Sequence, residues 1–198
     1  MAKTKELRNK GAFKEQFKNA LKYLRESGNY MIAVALIFLC GIFLGVLFFD
    51  KLGFLDKAIS EIVEKVRGLD SIGLVLFILQ NNITSAFYGL ILGVFLGIFP
   101  IINAVLNGVL LGYVVRIVWI SSGFKELWRI LPHGIFEIPA IFISLSLGIR
   151  LGMFIFAKER GKELVERAKN SIIIFVCVIL PLLIVAAIIE GLLIAAYR

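Results

Sequence analysis

Residues 30–49 read YMIAVALIFLCGIFLGVLFF, twenty positions without a charge, and this stretch decides the fold class. At a rise of 1.5 Å per residue it makes a helix about 30 Å long, which is the thickness of a bilayer's hydrocarbon core. Four runs of the same kind follow, at 71–99, 100–120, 131–157 and 171–197. Of the 198 residues, 60% are hydrophobic and 18% are charged, with a mean hydropathy of +0.93. A soluble domain is nearer 45–50% apolar and about a quarter charged. Runs of this length, without polar surface to cover them, belong in lipid, where a helix satisfies its own backbone groups. The expected fold is all-α: a polytopic bundle of about five transmembrane spans with short amphipathic interfacial helices. A basic amphipathic segment, 1–29, leads into a membrane domain, 30–198. The first run is not read as a cleavable signal peptide. Its leader is too long, and it ends in Phe48-Phe49-Asp50 without small cleavage-site residues.

The charges are placed for a membrane rather than for nucleic acid, which is not an expected partner. Eight of the 22 Lys and Arg fall in residues 1–29 against three acids, just before the first span, where a basic segment meets anionic lipid. With the N-terminus inside, the inner segments carry thirteen Lys and Arg and the outer segments seven. The positive-inside rule then puts the N-terminus in the cytoplasm and the C-terminus outside. Phe13, Phe17, Leu21 and Leu24 form one helical stripe, flanked one position later by Lys14, Lys18, Lys22 and Arg25. Such a helix is expected to lie on the inner leaflet, the alternatives being a solvated helix or one docked on a partner. Leu55, Ile59, Ile62 and Val66 give a second stripe. Phe124, Leu127, Trp128 and Leu131 give a third, with Trp119 and Trp128 bracketing that loop as interfacial aromatics. Cys40 and Cys177 each sit inside an apolar run and read as small buried hydrophobes, not as a disulfide framework.

Glycine spacing is the most regular signal. Gly41/Gly45, Gly89/Gly93/Gly97, Gly108/Gly112 and Gly148/Gly152 recur four apart, on single helix faces. Helices in lipid associate by close backbone approach, which small residues permit. These faces predict a tight bundle, and they leave a second copy of the chain as a candidate partner.

Polar residues inside the spans are the candidate site. They are Asn81 and Asn82 in the second span, Asn107 in the third, His133 and Glu137 in the fourth and Glu190 in the fifth, with Arg116 as a cation. Under the N-in topology Arg116, His133, Glu137 and Glu190 share one depth. Ionisable groups there must face the interior and find partners, so Arg116 is expected to pair with Glu137 or Glu190. His133, Glu137 and Glu190 are only weak metal candidates. Zn²⁺ wants three or four His, Cys or carboxylate ligands, and the chain has a single histidine. Hence no metal and no cofactor is expected. No serine stands in Gly-x-Ser-x-Gly, so nothing supports a nucleophile and no catalytic residue is assigned. Pro139 cannot donate to the carbonyl of Ile135 and predicts a kink or break in the fourth span.

Taken together, Asn81-Asn82, Gly89/Gly93/Gly97, Pro100, Asn107-Gly108 with Gly112, and His133-Gly134-x-x-Glu137 resemble the stage II sporulation protein M family over roughly residues 72–152. The resemblance implies a small multi-pass protein of the cytoplasmic membrane. It would anchor or assemble other membrane proteins rather than catalyse a reaction. The competing expectation is a permease or channel whose path is lined by the polar residues. Their concentration in the outer half favours a pocket or structural lock over a through-channel.

Overall fold

The computed structural model describes residues 2–123 and 131–196, the side chains of 2–10, 13, 122, 131–133 and 194–196 excepted. The chain forms α1 (Ala2–Glu26), α2 (Gly28–Leu47), α3 (Phe54–Arg67), α4 (Ser71–Ile91), α5 (Ile98–Ser122), α6 (Leu131–Gly152), α7 (Arg160–Ile174) and α8 (Leu180–Ala196). No strand occurs among the described residues. Five helical segments are long and apolar enough to cross a membrane: Gly28–Leu47, Ser71–Val94, Ile98–Ser121, Gly134–Phe156 and Arg160–Leu193. The proposed stripe at 124–131 lies outside the described residues, apart from the backbone of Leu131.

Helix α6 is the axis of the bundle. It touches α2 and α5 on one flank and α4 and α8 on the other, and each flank is itself a tight pair. Ala140, Ser144, Leu145, Ser146 and Leu147 of α6 are wholly buried. The outer helices turn apolar residues outward instead. On α2, Ile32, Leu36, Leu39, Phe43 and Leu47 are all exposed, spaced four, three, four and four apart. A contiguous apolar face of that size is unusual on a soluble monomer and natural against lipid tails.

Glycines decide how closely these helices approach. A Cβ on Gly41 would stand 2.7 Å from the Val105 carbonyl and 3.0 Å from the Cα of Gly108, and Gly45 meets the Val109 carbonyl in the same way. Across the contact, Gly108 and Gly112 abut the carbonyls of Phe38 and Ile42. On the other flank a Cβ on Gly93 would lie 2.6 Å from the Cα of Gly148, while Gly152 faces the Gly93 carbonyl and the Gly97 amide. Gly89 meets the side chain of Leu145. Each of these glycine faces is therefore filled by another helix of the same chain.

Three local features differ from the sequence reading. The corner between the second and third spans was expected at Phe99-Pro100 but lies at Phe95–Gly97, after a 3₁₀ turn at Leu92–Val94. Leu96 (φ 60°) and Gly97 (φ 71°) both take left-handed backbone there. That costs little at glycine and is a strained conformation for leucine. Pro100 is the third residue of α5, where the amide it lacks has no intrahelical acceptor, so it marks a helix start and not the corner. Pro139 breaks nothing: α6 runs continuously through it, held by neighbours on both flanks. The helix of the fifth span begins well before residue 171. The polar helix α7 passes through a π turn at Phe175–Ile179 into α8 without interruption. Pro181 follows directly, and the wider turn accommodates the carbonyl that its missing amide would have bound.

The two ends of the bundle differ. One carries α1, the α4–α5 corner and α7; the other carries α3 and the start of α4. There Tyr113, almost wholly buried, donates to Asp56 Oδ1 of α3 at 2.7 Å and stacks on Phe49 at 4.7 Å between ring centroids. Asp70 caps α4 by accepting from the Gly73 amide at 2.9 Å.

Candidate functional site

Among the described residues, Arg116, Glu190 and the asparagines do not gather into one cluster. Arg116 lies on α5 and Glu190 on α8, helices that flank α6 from different sides. Among the described residues no ion pair joins Arg116 to Glu137 or Glu190, which corrects the expected pairing. The guanidinium of Arg116 instead sits over the Trp119 ring, 5.7 Å from its centroid, with its Nε buried and without a hydrogen-bond acceptor. Spacing on one helix brings Trp119 within reach of Arg116, and a cation over indole needs no carboxylate. Glu137 is half-buried in α6 and Glu190 half-buried in α8. His133 lies in α6, but its side chain is outside the described residues. No group of three or more His, Cys, Asp or Glu side chains suited to a metal occurs among the described residues.

The asparagines form a separate α4–α5 set. Asn107 donates to the carbonyl and the side-chain oxygen of Asn103, at 2.9 and 2.8 Å, and Asn103 donates across to Ser85 Oγ at 3.5 Å. Asn81 reaches Asn82 Oδ1 at 3.4 Å, and Asn82 Nδ2 is buried without a partner. Ser144 of α6 donates to the Ala86 carbonyl at 2.6 Å, tying α6 to α4. Most of these groups are thus bonded between or along packed helices.

The best-developed polar constellation lies elsewhere, where α1 and α7 meet the end of α6. Arg150, two residues before the end of α6, sends its guanidinium to the Tyr23 carbonyl and to Ser27 Oγ, the latter at 2.9 Å. It also pairs with Glu26 at 3.0 Å, and its Cζ stands 3.8 Å from the centroid of the Tyr23 ring. Ser27 Oγ in turn donates to the Tyr23 carbonyl at 2.8 Å. From α7, Arg167 donates to the Arg150 carbonyl at 2.8 Å while pairing with Glu163 at 2.8 Å. Burial pushes the Tyr23 phenol above its ordinary pKa of 10.0, and the nearby Ser171 hydroxyl and the charges of Arg150 and Arg167 pull against that rise. These groups border a polar cleft of about 380 Å³, which Lys22, Glu166 and Asn170 also line.

The arrangement changes the reading of α1. Among its described side chains Ala20 and Tyr23 are buried, as is Ser27 just beyond it, with Gln16, Phe17 and Leu24 half-buried, whereas Leu21 of the expected apolar stripe is exposed. It packs along α7 rather than standing apart as a lipid-bound helix. Phe13's side chain lies outside the described residues. The sequence does not show the partners of Arg150, because Tyr23, Glu26 and Ser27 lie more than 120 positions away. One signal was present: a lone arginine closing an apolar span needs a carboxylate, and the nearest segment at that end supplies Glu26.

No curated protein and no solved structure matches the chain. A family model does, described as Stage II sporulation protein M, over residues 34–193, from α2 through α8. Lying within that match are the glycine-lined contacts, the asparagine set, Arg150 and all of the five-span core after residue 33, and so the chain is a member of the stage II sporulation protein M family of membrane proteins.

Proposed function

We propose that the protein is a non-catalytic scaffold that assembles other membrane proteins in the cytoplasmic membrane, with its N-terminus inside and its C-terminus outside. The observation that carries this reading is the backbone-to-backbone closure of both helix pairs at Gly41, Gly45, Gly108 and Gly112 and at Gly93, Gly148 and Gly152. A bundle sealed by carbonyls against glycines is rigid and leaves little room for a path between those helices. Rigid packing suits a platform, and the polar contacts at its α1/α7 end supply a surface outside the lipid. Partners then add to the outside of the bundle, since the glycine faces are already filled within the chain.

A permease remains the competing reading, supported by the unpartnered Asn82 Nδ2 and Arg116 Nε. Reconstitution into liposomes separates the two. The scaffold shows no ion or solute flux above empty liposomes, and crosslinking in native membranes traps it with a second membrane protein. Flux abolished by His133→Ala or Glu137→Ala defeats the scaffold and establishes the permease.

A further inference from the structure

On α1, Lys14, Lys18, Lys22 and Arg25 are all exposed, and at about 100° per residue they share one face. The face buried on the bundle, through Ala20, Tyr23 and Ser27, is nearly opposite. The basic stripe therefore points away from the bundle at Lys14, Lys18 and Arg25, while Lys22 at its edge also borders the cleft with α7. The two helices lie side by side and run the same way, since Asn19, Tyr23 and Glu26 border one cleft with Glu163, Arg167 and Asn170. Helix α7 starts at Arg160, so its cover of α1 ends near Gln16, and α1 continues past it.

This geometry sets how far the stripe stands from lipid. The first span starts at Gly28, and Lys14 lies thirteen helical residues before Ser27, about 20 Å away along α1. The headgroup layer adds only about 5–8 Å to each side of a bilayer. Lys22 and Arg25 are within reach of phosphates, and Lys18, about 13 Å out, is at their edge, but Lys14 is beyond them. The flanking surface of α7 is mixed in sign, Glu159, Glu163 and Glu166 alternating with Arg160, Lys162, Arg167 and Lys169, so it does not extend the stripe into a continuous basic face for a broad polyanion such as duplex nucleic acid. A narrow acidic helix laid along α1 would meet Lys14, Lys18 and Arg25 directly, with Lys22 at the edge, 4.0 Å from Glu26.

We infer that the outward stripe Lys14, Lys18, Lys22 and Arg25 of α1 is a docking surface for an acidic helical segment of a partner protein. The stripe is about 17 Å long, matching carboxylates at the same i, i+4, i+8, i+11 spacing on the partner. This rests on the scaffold reading and names the chemistry of what the scaffold holds. It also places the contact in α1, ahead of the residues that the family model covers.

The test uses the full chain in phosphatidylcholine nanodiscs and a fluorescent helical peptide with glutamate at those four positions. The glutamate peptide should bind, more weakly as salt rises, and its glutamine counterpart should not. Lys14→Glu/Lys18→Glu should weaken binding about tenfold or more, with the thermal midpoint unchanged because both side chains are exposed. A peptide with lysines opposite the reversed positions should restore it. Equal binding of the glutamine peptide or of a random duplex DNA overturns the inference. So does binding that ignores Lys14→Glu/Lys18→Glu, or that is lost only with Lys22→Glu/Arg25→Glu while phosphatidylglycerol vesicles compete, which assigns the stripe to lipid. Liposome flux is read separately, so absent peptide binding without flux removes this surface and leaves the scaffold standing.

Discussion

Arg150 stands over the Tyr23 ring: the guanidinium carbon is 3.8 Å from the ring centroid, and the same guanidinium donates to the Tyr23 carbonyl. One side chain of the membrane core thus grips both the ring and the backbone of the helix outside it. With Ser27 and Glu26 also on its donors, Arg150 is the chief polar tie between α1 and the bundle.

Replacing Arg150 should free α1 more than it loosens the spans. Hydrogen bonds to a charged group contribute about 1.5–3 kcal/mol each, so Arg150→Ala should raise amide exchange across residues 16–26 while leaving α4 and α8 protected. Arg150→Lys should rescue only part of this, because an ammonium cannot stack flat and bond several acceptors together. Exchange unchanged in α1 would show that apolar contacts alone hold it.

Alkaline pH should act on the same joint. The folded Tyr23 phenol titrates above its ordinary pKa of 10.0, chiefly because it is buried. The folded state therefore holds its proton more tightly than the released helix does. That stabilisation is complete below pH 10 and declines as the pH rises through the folded pKa. α1 should loosen above about pH 10 in the native protein and less so in Tyr23→Phe, as followed by exchange or a fluorophore on Lys18→Cys.

Glycine substitutions should sort by what their new methyl meets. Gly148→Ala would push into the Gly89 carbonyl and stand 3.0 Å from Pro100 Cγ, so a loss of about 1–3 kcal/mol is expected. Gly161→Ala meets nothing within 4 Å in α7 and should be neutral or stabilising. Thermal unfolding in one detergent compares them, and equal midpoints would refute close packing at Gly148.

Arg116 and Glu190 should behave as independent sites. With no ion pair between them, the losses from Arg116→Ala and Glu190→Ala should add in the double variant to within about 0.5 kcal/mol. A coupling above about 1 kcal/mol would restore the pairing inferred from depth alone.

Orientation has its own measurement. Single cysteines replacing Ala2 and Tyr197 should divide in intact cells, an impermeant thiol reagent reaching position 197 and not position 2. The opposite pattern inverts the topology and puts the basic stripe of α1 outside the cell.

What the sequence disclosed was whatever is encoded within one helix. The spans follow from runs of twenty apolar residues, and the glycine faces from four-residue spacing, because both are local properties. Depth bookkeeping placed Arg116 and Glu190 on one level, yet depth says nothing of angle about the bundle axis, and α6 stands between their helices. The Arg150 joint was hidden for a related reason, since its partners lie more than 120 residues upstream and only docking of α1 on α7 brings them close. The misplaced corner came from dividing the second and third runs at Phe99-Pro100, although proline is at ease in the first turn of a helix.

The π turn at Phe175–Ile179 gives the α7–α8 rod an offset phase. It takes up one residue more than an α-helical turn, so the face of α7 that receives α1 is rotated by about 100° from where an unbroken α-helix through α8 would set it. The α1–α7 arm thus meets Arg150 in a phase set by a single surplus residue. Deleting exposed Val176 would remove the surplus and turn α7 out of register with Arg150, so that the joint holds only if α8 rotates against α4 and α6.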